Sequence, residues 1–148
     1  MRTAQLFAFA SAMVAIAAAP ALAAEARPWL CRDKPVFSST RPMEFQATAR
    51  PGREWRLFIM QFQLDAANEG FDIVRSTGQL RAEPATGRLD PGSYYAVAMY
   101  RRESHWICPG YAQEDPNLTP GVVRKICYAE DSPPCRATLT VTPAPFVH

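Results

Sequence analysis

Only two histidines occur among the 148 residues, and His105 and His148 stand too far apart in the chain to form a ligand cluster. No CxxC pair exists, which counts against zinc, and the missing CxxCH excludes covalent c-type haem. Neither Gly-x-Ser-x-Gly nor a glycine loop that could cradle phosphate is present. Charge of one sign is scarce in excess. Lys and Arg total 16 against 14 Asp and Glu, so +2 remains, too little to mark a nucleic-acid or anionic-membrane binder. No window keeps a helical period, and 14 prolines fall too often for long helices. After residue 24 no apolar run is long enough to cross a bilayer. What is there is a chain 48% hydrophobic and 20% charged, which is neither disordered nor fibrous and has the length of one domain.

Residues 1–24 read as a secretory signal. Arg2 supplies the positive end, Leu6 to Ala19 the apolar run, and Ala21-Leu22-Ala23 the small residues that a signal peptidase reads. The expected mature domain is residues 25–148, bound for the periplasm or the medium. No cysteine sits at the cleavage point to carry a lipid, and the mature chain is expected to have no membrane span.

All four cysteines, Cys31, Cys108, Cys127 and Cys135, follow the signal. An even count in an exported chain predicts two disulfides. Three pairings are possible. Cys108 with Cys127 and Cys31 with Cys135 is the favoured one: the first would close a Pro-rich excursion, the second would tie the first strand to the last. Such closures contribute about 3 to 5 kcal/mol by the chain-entropy argument.

The mature chain has a period of two. Met43, Phe45, Ala47 and Ala49 alternate with Glu44, Gln46, Thr48 and Arg50, a strand with one wet face. Pro51-Gly52 suits a type II turn. Trp55 to Leu64 is the strongest strand, apolar on both faces. Lys34 to Ser38, Phe71 to Ser76 and a weak stretch around Leu80 add three more, and Ala137 to Thr142 is the last.

Asp90-Pro91-Gly92-Ser93-Tyr94 leads into the strand ending at Tyr100. Asp90, Gly92 and Tyr94 have the spacing of a tyrosine corner, whose ring packs inward while its hydroxyl bonds backbone upstream. The expected fold is all-β: an immunoglobulin-like antiparallel β-sandwich with a Cys/Pro-rich insertion, residues 103–136, before the last strand. The stretch Leu89 to Tyr100, with Thr138-Leu139-Thr140-Val141 near the end, resembles secreted bacterial immunoglobulin-like modules of the pre-peptidase C-terminal family. That resemblance implies a non-catalytic accessory module. The Cys- and Pro-rich insertion departs from the family pattern.

Two strands have no wet face. If Tyr94, Ala96, Ala98 and Tyr100 point inward, Tyr95, Val97 and Met99 point outward and would leave an apolar patch of hundreds of Å². The segment Glu103 to Arg136 is expected to fold over that face as a disulfide-pinned lid; a partner protein or a second copy is the rival cover.

Candidate chemistry is sparse. Paired carboxylates for hydrolysis could come only from Glu114-Asp115 and Glu130-Asp131, doublets in Pro-flanked loops that read first as solvated turns; they could also hold Ca²⁺. His105 near Cys108 is the one nucleophile–base pairing, and disulfide formation would remove its thiol. No catalytic residue, metal or cofactor is therefore assigned. Trp106, Tyr111 and Tyr128 form a possible binding surface for a protein or carbohydrate, with core packing as the competing role. The competing functions are an exported binding or structural module, an inhibitor of a secreted hydrolase presenting a disulfide-braced loop such as Cys108 to Cys135, a carbohydrate-binding module, and a small hydrolase, for which the sequence offers no constellation.

Overall fold

The computed structural model describes residues 25–109, 111–114, 121–130 and 134–145; the expected signal, residues 1–24, lies outside them, as does His148. Ten strands occur among the described residues: β1 Val36–Ser39, β2 Met43–Ala49, β3 Trp55–Phe62, β4 Phe71–Ser76, β5 Ala85–Leu89, β6 Gly92–Arg102, β7 His105–Ile107, β8 Tyr111–Glu114, β9 Arg124–Ala129 and β10 Ala137–Pro143. Every pairing is antiparallel. Sheet I runs β1-β6-β3-β4, with β7 sharing the β1 side of the long strand β6, and sheet II runs β5-β2-β10-β9-β8. The chain is thus all-β, in two antiparallel sheets.

The alternation in sequence sets the layers. In β2, Met43, Phe45, Ala47 and Ala49 are buried while Gln46 is exposed, and in β10 Leu139 and Val141 are buried between threonines. These side chains meet Trp55, Leu57 and Ile59 of β3 and Tyr94, Ala96, Ala98 and Tyr100 of β6 in one core between the sheets. Full burial of each large side chain contributes roughly 1.5 to 3 kcal/mol. Trp55 packs on Tyr100 with ring centroids 4.9 Å apart.

Turns follow the residues that allow them. Gly52 takes φ +131° after Pro51, where a residue with a Cβ is disfavoured. Gly87 serves by its size instead. It lies opposite Phe45 on the neighbouring strand, and an added Cβ would stand 2.6 Å from the Phe45 ring. Gly87→Ala should therefore cost about 1 to 3 kcal/mol, the usual range for overpacking a filled site. Denaturation in urea checks this; an unchanged midpoint would show that the ring moves aside freely.

Three expectations need correction. The disulfides join Cys31 to Cys108 and Cys127 to Cys135, not Cys108 to Cys127 and Cys31 to Cys135. The reason is topological. Cys31 and Cys108 lie on the outer side of sheet I, whereas Cys127 points outward from sheet II, its neighbours Ile126 and Tyr128 pointing inward. The favoured pairs would have had to span both sheets, and β1 and β10 belong to different sheets. Second, Glu103 to Arg136 is not one covering segment: β7 joins sheet I, and β8 and β9 join sheet II. Third, the weak strand is Ala85–Leu89. Leu80 is buried from a loop whose backbone N–H donates to the Trp55 carbonyl at 2.7 Å.

Candidate binding surface

The two outer sides of the molecule differ in chemistry. Sheet II shows water Gln46, Thr86, Arg88 and Lys125, with Thr138 and Thr140 half-buried among them. Sheet I places Phe58 and Met60 of β3, Val97 and Met99 of β6, Phe71 and Ile73 of β4 on its outer side. Phe58, Met60, Val97 and Met99 are nonetheless buried, as a second apolar cluster. Their cover is the amino-terminal arm. Residues Pro28–Leu30 form a 3-10 turn, Ala26 and Trp29 pack on the cluster, and Cys31 is tied to Cys108 just beyond β7. Trp106 of β7 completes the cover. A cover over Val97 and Met99 was expected; its source is residues 26–31 together with Trp106 of β7 and Cys108 beyond it.

The cover is partial. A groove of about 490 Å³ remains beside it, with Phe58 and Ile73 from the sheet and Trp29 and Trp106 from the cover among its lining residues. Arg56 and Arg101 also line it, and the Arg56 guanidinium lies 5.1 Å over the Trp106 ring. Next to the groove Phe71 stands edge-on to both Phe62 and Tyr95, with centroids 5.4 and 5.3 Å apart, and the Lys34 ammonium sits 5.2 Å from the Phe71 ring. Among the described residues the exposed large hydrophobics are Leu30, Val36, Phe62, Leu64 and Ile73, all in sheet I or in segments attached to it. Phe62 is 51% exposed and Ile73 39%, both on the outer side of sheet I.

Of the surface expected from sequence, Trp106 lies here, half-buried. Tyr111 is on β8, and its side chain lies outside the described residues. Tyr128 does not belong to a surface. It is 1% exposed, and its hydroxyl donates across the core to the Ala96 carbonyl at 3.1 Å. Burial pushes that hydroxyl far above the ordinary tyrosine range. Asp90, Gly92 and Tyr94 meet where β6 begins. Tyr94 is buried and its hydroxyl donates to the Asp90 carbonyl at 2.7 Å, while Gly92 takes φ +150°. Burial first, then the Asp90 charge, raise the Tyr94 hydroxyl above its usual value.

The groups considered for chemistry are separated. Cys108 is bonded to Cys31, so His105, exposed at the start of β7, has no thiol beside it. Glu114 pairs in register with Ile126, whereas Glu130 follows Ala129 at the other end of β9. Glu130 is held by Arg53 at 2.6 Å and approached by Arg136 at 3.9 Å, and Asp115 and Asp131 lie outside the described residues.

Sequence reading overlooked Phe62, Phe71 and Ile73. The signal was present in the two apolar faces of Trp55 to Leu64. Among the described residues no helix is long and apolar enough to cross a membrane. No family model, curated protein or solved structure matches the chain.

Proposed function

We propose that this chain is an exported, non-catalytic module of immunoglobulin-like topology that seats a protein partner on the outer side of sheet I. The carrying observation is the asymmetry just described: exposed Phe62, Ile73 and Val36 on one side, threonines and charged residues on the other. The topology supports the fold assignment. In immunoglobulin-like domains the second and fifth strands pair in one sheet and the third and sixth in the other, with a tyrosine corner where the sixth begins. Here β2 pairs β5, β3 pairs β6, and Tyr94 bonds Asp90 at the start of β6. The terminal strands depart from that plan, since β1 flanks β6 and β10 flanks β2.

Two disulfides fit an oxidising compartment, and the signal-like residues 1–24 would deliver the chain to the periplasm or beyond. The non-catalytic reading rests on occupied groups: the Cys108 sulfur is bonded, and Glu130 is engaged by guanidinium groups. An inhibitor loop from Cys108 to Cys135 loses its brace, because neither disulfide closes it.

Photo-crosslinking tests the proposal. A benzophenone residue at position 62 or 73 should yield crosslinked protein species in the native compartment, whereas the same residue at position 140 on sheet II should yield none. Equal products from both sides, or none from positions 62 and 73, would reject the assignment. Quenching of Trp29 and Trp106 fluorescence by neutral oligosaccharides, without protein crosslinks, would move the reading to a carbohydrate ligand.

A further inference from the structure

Six of the basic residues, far apart in the sequence, come together in the fold. Six guanidinium groups collect at the end of the sandwich where β2 turns into β3: Arg50, Arg53, Arg56, Arg81, Arg101 and Arg136. Two carboxylates serve them. Glu54 takes Arg56 at 3.0 Å and Arg101 at 3.4 Å, and Glu130 takes Arg53 at 2.6 Å and Arg136 at 3.9 Å. Arg50 and Arg81 are exposed and form no ion pair or side-chain hydrogen bond among the described residues. Glu83 and Glu103 occupy adjacent turns, both exposed and neither lining the hollows described next.

The turn Arg50-Pro51-Gly52-Arg53 is a ridge with a solvent-open hollow on each side. One hollow, about 330 Å³, has Arg50, Arg53 and Arg136 in its lining against the single carboxylate of Glu130. The other, about 410 Å³, has Arg50, Arg53 and Arg81 against Glu54. Arg53 is held in place from two directions, by Glu130 and by the Tyr100 ring 5.6 Å below it. Planar guanidinium groups recognise carboxylate, sulfate and phosphate through paired N–H donors, and orienting them beforehand reduces the entropy lost on binding.

We infer that this end binds a linear polyanion that crosses the Arg50–Arg53 ridge with one oxyanion group in each hollow. A chain fits better than a lone ion because the positive charge is divided between two open hollows that share the ridge residues. The shared chemistry is a repeated oxyanion, whether uronate, sulfate or phosphate. The two hollows share no lining residue with the apolar groove of sheet I, although Arg56 and Arg101 of that groove pair with Glu54 at the edge of the second hollow.

Calorimetric titration at low ionic strength tests it with hexagalacturonate, a heparin hexasaccharide and inorganic tripolyphosphate as probes. At least one should bind, and the arm that binds tightest identifies the anionic group. The double variant Arg50→Ala/Arg81→Ala should bind about tenfold more weakly, or worse, a loss expected for two charge-assisted contacts. Its thermal melt should match the parent, since neither side chain is packed. Arg88→Ala, on the exposed face of β5, should bind like the parent. Affinity should also fall steeply with salt. Failure of all three probes to bind, equal binding by the double variant, or equal binding of a neutral hexasaccharide would overturn the inference.

Discussion

Replacing Cys31 and Cys108 together with alanine should cost about 4 to 5 kcal/mol of unfolding free energy, whereas the Cys127→Ala/Cys135→Ala pair should cost about 2 to 3. The difference follows from loop length. The first disulfide joins residues 77 apart in sequence and the second joins residues 8 apart, and the entropy removed from the unfolded chain grows with the logarithm of that separation. A second consequence separates them further. Only the first disulfide holds the amino-terminal arm over Phe58, Met60, Val97 and Met99. Without it the arm keeps a 3-10 turn and a few apolar contacts, too little to offset the entropy of ordering about six residues at 1 to 2 kcal/mol each. The Cys31/Cys108 variant should then bind a hydrophobic dye while still folded, and the Cys127/Cys135 variant should not. Urea denaturation without reductant, paired with dye fluorescence before the transition, measures both effects. Equal costs for the two variants, or no dye bound by either, would show that the arm stays in place by packing alone.

The pairing of strands was more legible than the pairing of cysteines. The alternation in Met43 to Ala49 and Ala137 to Thr142 dictates which side chains face inward, because a strand has only two faces. Strand β9 carried the same alternation in Ile126 and Tyr128 and was hidden by its setting among cysteines and prolines, which suggested a loop. The disulfides depend on which sheet each strand joins, and period two does not encode that choice. Cys31 and Cys108 meet only because the arm folds back over sheet I beside β7. The surface shows the same division. Trp55 to Leu64 announced that a second apolar face exists, yet what covers it and what stays bare at Phe62 and Ile73 is decided by the tertiary path of residues 25–31. Arginine clustering was likewise invisible, since Arg50, Arg81 and Arg136 come from three separate turns.

Those turns and the apolar cover both depend on the two sheets keeping their stacking, and side-chain hydrogen bonds bridge them at the edge, where Arg75 of β4 donates to the Arg88 carbonyl of β5 at 3.1 Å, and in the interior. Tyr128 rises from sheet II, is fully enclosed, and donates its hydroxyl to Ala96 in sheet I. Tyr128→Ala should cost about 3 to 5 kcal/mol, as for other large aromatic truncations. Tyr128→Phe keeps the volume and should cost only about 0.5 to 1.5 kcal/mol at neutral pH, the worth of one hydrogen bond. The two proteins should then converge as the solution is made alkaline. Burial raises the Tyr128 hydroxyl above its ordinary value of 10.0, so the folded state holds its proton where the unfolded chain releases it. The stabilisation is therefore complete below pH 10.0 and is lost progressively above it, by about 1.4 kcal/mol per pH unit. Tyr128→Phe lacks that ionisation and should decline less steeply over the same interval, while Tyr94, which shifts in the same direction, is common to both. Urea midpoints for parent and variant at neutral pH and above pH 10 test this. Parallel pH profiles would mean that water reaches the Tyr128 hydroxyl in the folded protein, and with it the interior between the sheets.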